Sequence, residues 1–381
     1  LFSIDGFRWN FSELADTPAM DRMAAEGMTA EYLQPVFPTL TFPNHYSIAT
    51  GSLPRRHGLV GNSFPDTERL HWYDYKDRST VQDGGWYQLE PLWVTAEKQG
   101  LVTAAYYFVG TEADIRGIHP THWRAFDPEA SDSERIGQVL TWLAEPAETR
   151  PHLITVYSED VDEHSHWYGP DSPENSAAIQ RVDQRLGQLR NGISALPHAD
   201  DVYLIVLSDH GQATYDVSKP VFVLDQVVDL SGIRAIEGGT YVWLYFDPQE
   251  KGRIAAVRDQ INLRWSNGRA LTPEEAPAAW AVVDRDRFPD LIVQADAGCA
   301  VLSRPEMAHK ITRGDHGWAP EMPQMRGIFL AVGPRIPRGK TLPAARVTDV
   351  YPLISAILGL QAPHPIDGDP ARLASALLPV R

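Results

Sequence analysis

One hydroxyl, three carboxylates and three imidazoles carry the chemistry this chain could do: Thr41, Asp5, Asp162, Asp209, His166, His210 and His316. Thr41 lies in Pro38-Thr39-Leu40-Thr41-Phe42-Pro43-Asn44-His45-Tyr46, where each proline fixes its own φ and pushes the residue before it out of the helical region. A hydroxyl between two prolines is expected on a stiff, displayed turn outside regular structure, which makes Thr41 the candidate nucleophile. Phe42 beside it offers a flat ring to stack next to the attacked atom. A threonine hydroxyl attacks poorly at neutral pH, so a bound metal is the expected means of ionising it. Asp162 and His166 stand four apart, a spacing that serves one metal from a helical turn or a compact loop. Asp209-His210 and the glycine-flanked His316 add further ligand types. Carboxylate, imidazole and alkoxide suit Zn²⁺, and the set is large enough for two ions. Such a pair, about 4 Å apart, stabilises both the attacking and the leaving oxygen of an in-line phosphoryl displacement.

The elements that must hold these residues alternate between apolar strands and amphipathic helices. Leu1 to Ile4 reads as a buried strand delivering Asp5 and Gly6, and Thr17-Pro18 opens a helix that Gly27 stops. A helix over His45 to Gly51 would leave Thr41 at its N-terminus, where backbone dipoles favour phosphate. Arg55 to Gly58 and Gly61-Asn62 read as loop. Asn62 can donate an amide N–H to a phosphoryl oxygen, although asparagine after glycine is also an ordinary turn residue. A helix over Pro91 to Gly100 and a strand over Leu101 to Val109 precede a loop-like aromatic stretch, Pro120 to Phe126, in which a lone Phe126 is by itself ordinary core. Ile136, Val139, Leu140 and Leu143 mark the next helix, and a strand over His152 to Tyr157 leads to Asp162 and His166, with His164 a supporting or solvent-facing group. Ser172 caps a long helix carrying Ile179, Val182, Leu186, Leu189, Ile193 and Leu196 on one face. The strand Asp201 to Ser208 then delivers Asp209-His210. Gly327 to Val332 is a last strand, and a helix capped by Thr348 ends at Gly359.

This pattern predicts an α/β fold with a largely parallel central sheet flanked by helices, its site beyond the carboxyl ends of the strands. From about 219 to 305 the pattern loosens into short strands, Tyr241 to Phe246 and Leu291 to Gln294, with a helix near Lys251 to Leu263. We expect one catalytic domain over 1–381, with a core of 1–218 and 306–381 and a small inserted α+β subdomain between. At 381 residues and 43% hydrophobic, the chain can fill such a core. Its net charge of −16, from 50 acids against 34 bases, disfavours a nucleic-acid duplex or an anionic membrane as partner. The single cysteine, Cys299, excludes an intramolecular disulfide framework and is expected to be a small packed residue. No apolar run is long enough for a membrane-spanning helix. The chain opens inside a strand without an initiator methionine, so an N-terminal segment, a secretory signal among the options, is expected to have preceded it.

Taken together, Ile4-Asp5-Gly6, the Pro38 to Tyr46 stretch, Thr50-Gly51, His57-Gly58, Asn62, Asp162 with His166 to Pro170, Asp209-His210-Gly211 and Gly314-Asp315-His316-Gly317 resemble the nucleotide pyrophosphatase/phosphodiesterase family of the alkaline phosphatase superfamily. The likeness spans nearly the whole chain and implies an alkaline-phosphatase-like core. It implies one zinc held by Asp162, His166 and His316 and a second held by Asp5, Thr41, Asp209 and His210. It further implies phosphoryl oxygens bound by Asn62 and the Thr41 backbone amide, and a nucleobase sandwiched between Phe42 and Phe126. The family's usual Glu-Pro-Asp and Ser-Gly are replaced here by Asp160-Val161-Asp162 and Glu163-His164-Ser165. Phe108 stands where tryptophan is common, and Phe126 where tyrosine is expected, which keeps stacking but removes a hydroxyl. The expected product is a nucleoside 5′-monophosphate, released through a nucleotidyl-threonine by a minimal bacterial, periplasmic or secreted monomer. A two-zinc phosphomonoesterase and a choline-phosphodiester hydrolase on the same core are the alternatives, the former needing a cation over the extra charge and the latter an acidic aromatic cage. Thr41 does not fit a sulfatase.

Overall fold

A computed structural model describes residues 1–66, 69–283 and 287–379; the parts of the expected insertion at 284–286 and of the expected core at 67–68 and 380–381 lie outside the described residues. Its strands of three or more residues are β1 (Phe2–Ile4), β2 (Met28–Ala30), β3 (Ser63–Asp66), β4 (His71–Asp74), β5 (Thr103–Tyr106), β6 (His122–Arg124), β7 (Leu153–Ser158), β8 (Leu204–Leu207), β9 (Ile233–Glu237), β10 (Tyr241–Phe246), β11 (Gly268–Leu271), β12 (Leu291–Ala295), β13 (Phe329–Val332) and β14 (Lys340–Leu342). The longer helices are α1 (Pro18–Glu26), α2 (Thr41–Thr50), α3 (Leu92–Lys98), α4 (Asp132–Leu143), α5 (Asp160–Tyr168), α6 (Pro173–Ser194), α7 (Ile254–Arg264) and α8 (Val350–Leu358).

Eight strands form one sheet in the order β14-β2-β13-β8-β1-β7-β5-β6, and only β13 runs against the others among the described residues. The three central neighbours, β8, β1 and β7, are parallel. Because every residue of β1 and β8 is buried, both faces of this part of the sheet must be covered by helices, as their unbroken apolar runs require. One core holds Phe2, Ile4, Val206, Val182 and Leu186 with α1, α4 and α6; another holds Leu207, Ile48, Tyr46 and Leu353 with α2, α3 and α8. The register that sets Ser3 against Leu207 and Tyr157 carries Asp5 out level with Asp209 and next to the start of α5. Adjacent parallel strands therefore release their ligand residues at one edge.

A second, four-stranded antiparallel sheet, β9-β10-β12-β11, lies beside the first. Val242, Leu244 and Val293 on one face pack under α7, while Tyr241, Trp243 and Ile292 on the other join the core that holds Phe37 and Trp280. Phe37 stacks on Trp280 with centroids 4.2 Å apart. Cys299 is buried there, as its apolar surroundings suggest.

Four local expectations need correction. Thr41 sits in regular structure after all, at the first position of α2, with Pro43 in the first turn where its missing N–H would have had no intrahelical acceptor. Pro54–His57 is a helical turn closed by Gly58 rather than loop, with proline again at its start. His122–Arg124, read as loop, pairs parallel to Thr103–Tyr106 at the sheet edge. Thr348 does not cap α8: it lies within a 3₁₀ turn over Val347–Asp349, and Asp349 accepts from the Arg346 and Asp369 N–H groups instead.

Candidate active site

The Thr41 turn is fixed by its neighbours' side chains. Asn44 accepts the Val36 N–H at 2.8 Å and donates to the Pro38 and Leu40 carbonyls, both at 2.9 Å. Thr39 donates to Trp318 O at 2.7 Å and accepts the Gly317 N–H at 2.9 Å, tying this turn to the loop that carries His316. Thr41 Oγ1 then lies 3.4 Å from His210 Nε2. The Thr41 N–H, at the first position of α2, has no intrahelical acceptor. Phe42 N–H donates to Asn62 Oδ1 at 3.0 Å, which fixes the Asn62 amide with its NH₂ as the remaining donor.

Asp5, Asp209 and His210 are buried, with His210 Nε2 at 3.5 Å from Asp5 and 3.1 Å from Asp209. Beside them, Asp162 and His166 project from successive turns of α5, 3.4 Å apart, and His316 Nε2 lies 4.0 Å from Asp162. The rings of His210 and His316 stack at 4.0 Å. The structure thus brings together all seven residues singled out as ligand types. Gly6 makes the approach possible: it has φ +65°, and a Cβ there would meet Asp162 Oδ1 at 2.6 Å.

Each of the three imidazoles is oriented from its Nδ1 side. His316 Nδ1 donates to Thr39 O at 2.8 Å and His210 Nδ1 to Gly211 O at 3.2 Å. His166 Nδ1 donates to Thr312 Oγ1 at 3.1 Å, the threonine having given its own proton to Gly314 O. All three therefore present Nε2 inward. Burial keeps His210 and His316 well disposed to the neutral form. Burial, then Asp209 and Asp162, push the Asp5 carboxyl well above the usual range, and burial with Asp162 does the same to Asp209. Burial also opposes ionisation of Asp162, but His166, helped by His316 and His210, holds it below the usual range; Asp162 in turn outweighs burial at His166 and raises that group to about 10.

Buried Asp5 Oδ1 and Asp209 Oδ2 have no hydrogen-bond partner among the described residues. Carboxylate oxygens so crowded and unsatisfied fit a divalent cation, since a buried anion is costly unless paired. Three triads have donor atoms within 4.8 Å of one another: Asp162, His166, His316; Asp5, Asp162, His210; and Asp5, His45, Asp209. His45, not singled out in the sequence, differs from the other imidazoles because both its nitrogens are engaged, Nδ1 with Thr41 O at 2.9 Å and Nε2 with Ser3 Oγ at 2.8 Å. Its position four residues after Thr41 was the available signal: it holds the Thr41 carbonyl in the first turn of α2. Tyr157, which donates to Asp5 Oδ2 at 2.6 Å, and Gln212, which donates to Asp162, were also missed, and nothing in their spacing announces them.

An open cleft of about 830 Å³ rises from this floor, lined by Leu40, Asn62, His166 and His316 below and by Trp72, Tyr75, Lys76, Arg234 and Lys310 above. Phe42 meets the rings of Tyr73 at 6.1 Å and Tyr75 at 5.7 Å. Phe126 is 40% exposed, its ring against Tyr107 at 5.2 Å and its N–H on Glu112.

The family model described as type I phosphodiesterase / nucleotide pyrophosphatase matches residues 1–319. Bis(5'-adenosyl)-triphosphatase ENPP4 of Bos taurus is 31% identical over 382 residues, covering 97% of this chain and 79% of that protein. Ectonucleotide pyrophosphatase/phosphodiesterase family member 7 of Homo sapiens is 30% identical over 391 residues, covering 99% and 83%. Among solved structures, murine ectonucleotide pyrophosphatase / phosphodiesterase 5 superposes with a TM-score of 0.92 at 27% identity, covering 99% of this chain and 98% of that one. An inactive threonine-to-alanine variant of the same murine protein, in complex with AMP, matches equally well.

Proposed function

From the premise that this chain belongs to the type I phosphodiesterase / nucleotide pyrophosphatase family, a family of hydrolases, we propose that it cleaves phosphodiester and pyrophosphate bonds of nucleotides to nucleoside 5′-monophosphates through a nucleotidyl-threonine. The observation that carries this reading is Thr41 Oγ1, 3.4 Å from His210 Nε2, at the head of a helix and beside an Asn62 amide already fixed by the Phe42 N–H. Asp162, His166 and His316 would hold one zinc, and Asp5, Thr41, Asp209 and His210 the other. Bound there, the metals supply Lewis acidity that ionises the threonine hydroxyl and offsets phosphoryl charge.

In this reading Thr41 Oγ1 attacks phosphorus, forming the threonyl ester as the leaving oxygen departs, while the Asn62 NH₂ and the Thr41 N–H bind the non-bridging oxygens. Water then opens the ester from the vacated side, so two inversions leave configuration at phosphorus retained. Phe42 and Phe126 would take the base between them. The chain would act as a periplasmic or secreted monomer, in keeping with relatives named ectonucleotide enzymes, and no described helix is long and apolar enough to cross a membrane. We take 1–218 and 306–381 as the catalytic core and about 219–305 as inserted.

Hydrolysis of the 4-nitrophenyl ester of a nucleoside 5′-monophosphate, with and without chelator, tests the reading. Turnover should vanish on chelation and return with Zn²⁺, with about two zinc ions per chain by elemental analysis. Turnover indifferent to chelator, or one tightly bound metal per chain, overturns the two-zinc assignment.

A further inference from the structure

The three carboxylates of the floor are arranged alike: each has one oxygen taken by a donor of this chain and the other turned toward an imidazole. The Tyr157 hydroxyl donates to Asp5 Oδ2 at 2.6 Å, leaving Oδ1 at 3.5 Å from His210 Nε2. The Gly6 N–H donates to Asp209 Oδ1 at 3.2 Å, leaving Oδ2 at 3.1 Å from the same nitrogen. The Gln212 amide donates to Asp162 Oδ1, leaving Oδ2 at 3.4 Å from His166 Nε2. A carboxylate with one oxygen so engaged offers an ion the other.

Asp162 is where this matters most, because it reaches both ligand sets. It lies within 4.8 Å of His166 and His316 and, equally, within 4.8 Å of Asp5 and His210. Its Oδ1 is the oxygen on the Asp5 side, being the atom that a Cβ on the adjoining Gly6 would meet at 2.6 Å. Gln212 covers that oxygen. The glutamine is fully buried, and its Nε2 donates also to the Asp162 backbone carbonyl at 3.2 Å, so both amide protons serve one residue. The reverse orientation would set Oε1 against two acceptors. As placed, Oε1 is buried with no hydrogen-bond partner among the described residues, a cost that a side chain serving only to pack would avoid. The backbone on either side is pinned: the Gly211 N–H donates to Met325 O at 2.9 Å, and Ala213 exchanges two hydrogen bonds of 2.8 Å with Asp315, beside His316. Gly6 leaves the room, since a Cβ there would lie 3.0 Å from Gln212 Nε2.

We propose that Gln212 is a positioning residue that holds Asp162 as a one-oxygen ligand of the ion shared with His166 and His316, and denies its other oxygen to the ion of Asp5 and His210, so that the two ions share no carboxylate. The proposal rests on the two-zinc reading above. Its consequence is that Asp162, His166 and His316 supply three donors, one short of the tetrahedral four, and leave a position for substrate or water.

The test loads wild type, Gln212→Met and Gln212→Leu with Co²⁺, whose visible absorption weakens as coordination rises from four to five and whose spins couple when a carboxylate bridges two ions. Methionine and leucine fill the space but lack the donor. We expect wild type to take up two ions with four-coordinate intensity and no coupling. The variants should still take up two, with weaker absorption, coupling in the electron paramagnetic resonance of the fully loaded protein, and one ion held roughly tenfold to hundredfold less tightly in chelator competition. Unchanged spectra and affinities overturn the proposal, and so does a lower urea midpoint of the metal-free variants as the only change, which would assign the side chain to packing. If neither apolar variant folds, Gln212→Asn, whose amide stands one methylene short of Asp162, is read by the same criteria. A wild type that takes up a single ion fails the two-zinc reading separately; a change in that ion's absorption and affinity in the variants then supports the one-oxygen role of Gln212, and no change rejects it. A wild type that takes up none overturns both.

Discussion

At the floor of the cleft Asp5, Asp209 and His210 are fully buried and each ligand-type imidazole has its Nδ1 committed, whereas at the wall Lys76 and Arg234 are exposed and Arg234 is held by stacking on Trp72. The floor is made by the most constrained part of the molecule, the carboxyl ends of three adjacent parallel strands. The wall is made by a hairpin, a sheet edge and a loop. Substitution at the floor should therefore act on every substrate alike, and substitution at the wall should act on some substrates only.

The largest effect that could break this division is expected of Thr41→Ala. It should lower kcat on the order of 10⁴-fold on nucleotide and aryl diesters alike, while elemental analysis still finds metal, because Asp5, Asp209 and His210 remain. Thr41→Ser should retain partial turnover. A chiral phosphorothioate diester hydrolysed with net inversion would remove the covalent intermediate and leave Thr41 as a ligand only.

Phe42→Ala probes the boundary between the two regions, since Phe42 belongs to α2 yet its ring meets Tyr73 and Tyr75 of the hairpin. Base–aromatic stacking contributes about 1–3 kcal/mol, so KM for nucleotide diesters should rise roughly tenfold or more, with small aryl diesters without a base nearly unaffected. Equal losses on both would mean that the ring only packs.

The smallest effect concerns the frame under the floor. His57 is buried, its Nδ1 accepting the Leu59 N–H at 3.2 Å and its Nε2 donating to Ser47 Oγ of α2 at 3.0 Å, and burial lowers it to about 3. The unfolded chain binds a proton near the usual histidine value and the folded one does not. This contribution is therefore whole above about pH 6.5 and is lost as pH falls from there toward 3. Between pH 7 and pH 5.5 it amounts to about 1 kcal/mol. Urea midpoints should fall over that range by more in wild type than in His57→Gln, with the ratio of aryl to nucleotide turnover unchanged in the variant. A wild-type midpoint that is flat over the range would contradict the burial argument.

What could be read from the amino acids follows the same line. Strands that are buried on both faces write themselves as unbroken apolar runs, so the gathering of Asp5, Asp209 and His210 just past the ends of adjacent parallel strands was legible. Asp162 and His166 were legible because one helical turn separates them. The start of α2 was not, because Pro43 argues locally against a helix and only the absence of any acceptor for a first-turn N–H makes it harmless. Tyr157, Gln212 and Thr312 hold Asp5, Asp162 and His166 across long sequence separations, and an ordinary tyrosine, glutamine or threonine carries no periodic mark of that duty. The wall was invisible for a further reason: it is assembled from residues as distant as Lys76, Arg234 and Lys310, and each alone is an unremarkable surface charge.

The stack of Phe37 on Trp280 has a bearing on how this enzyme could be re-engineered. Trp280 and the Trp243 face of the second sheet clamp the residue immediately before Pro38, so that sheet is a buttress for the Thr41 turn as well as the bearer of Arg234. A chimaera that exchanged the whole segment for that of a relative would alter substrate choice and loosen the turn in one stroke. Recombination should then yield slow enzymes with mixed preferences. Replacing side chains on the outward edge of β9 and on the hairpin, leaving Phe37, Trp243 and Trp280 in place, is the route by which preference can drift while the Thr41 turn stays fixed.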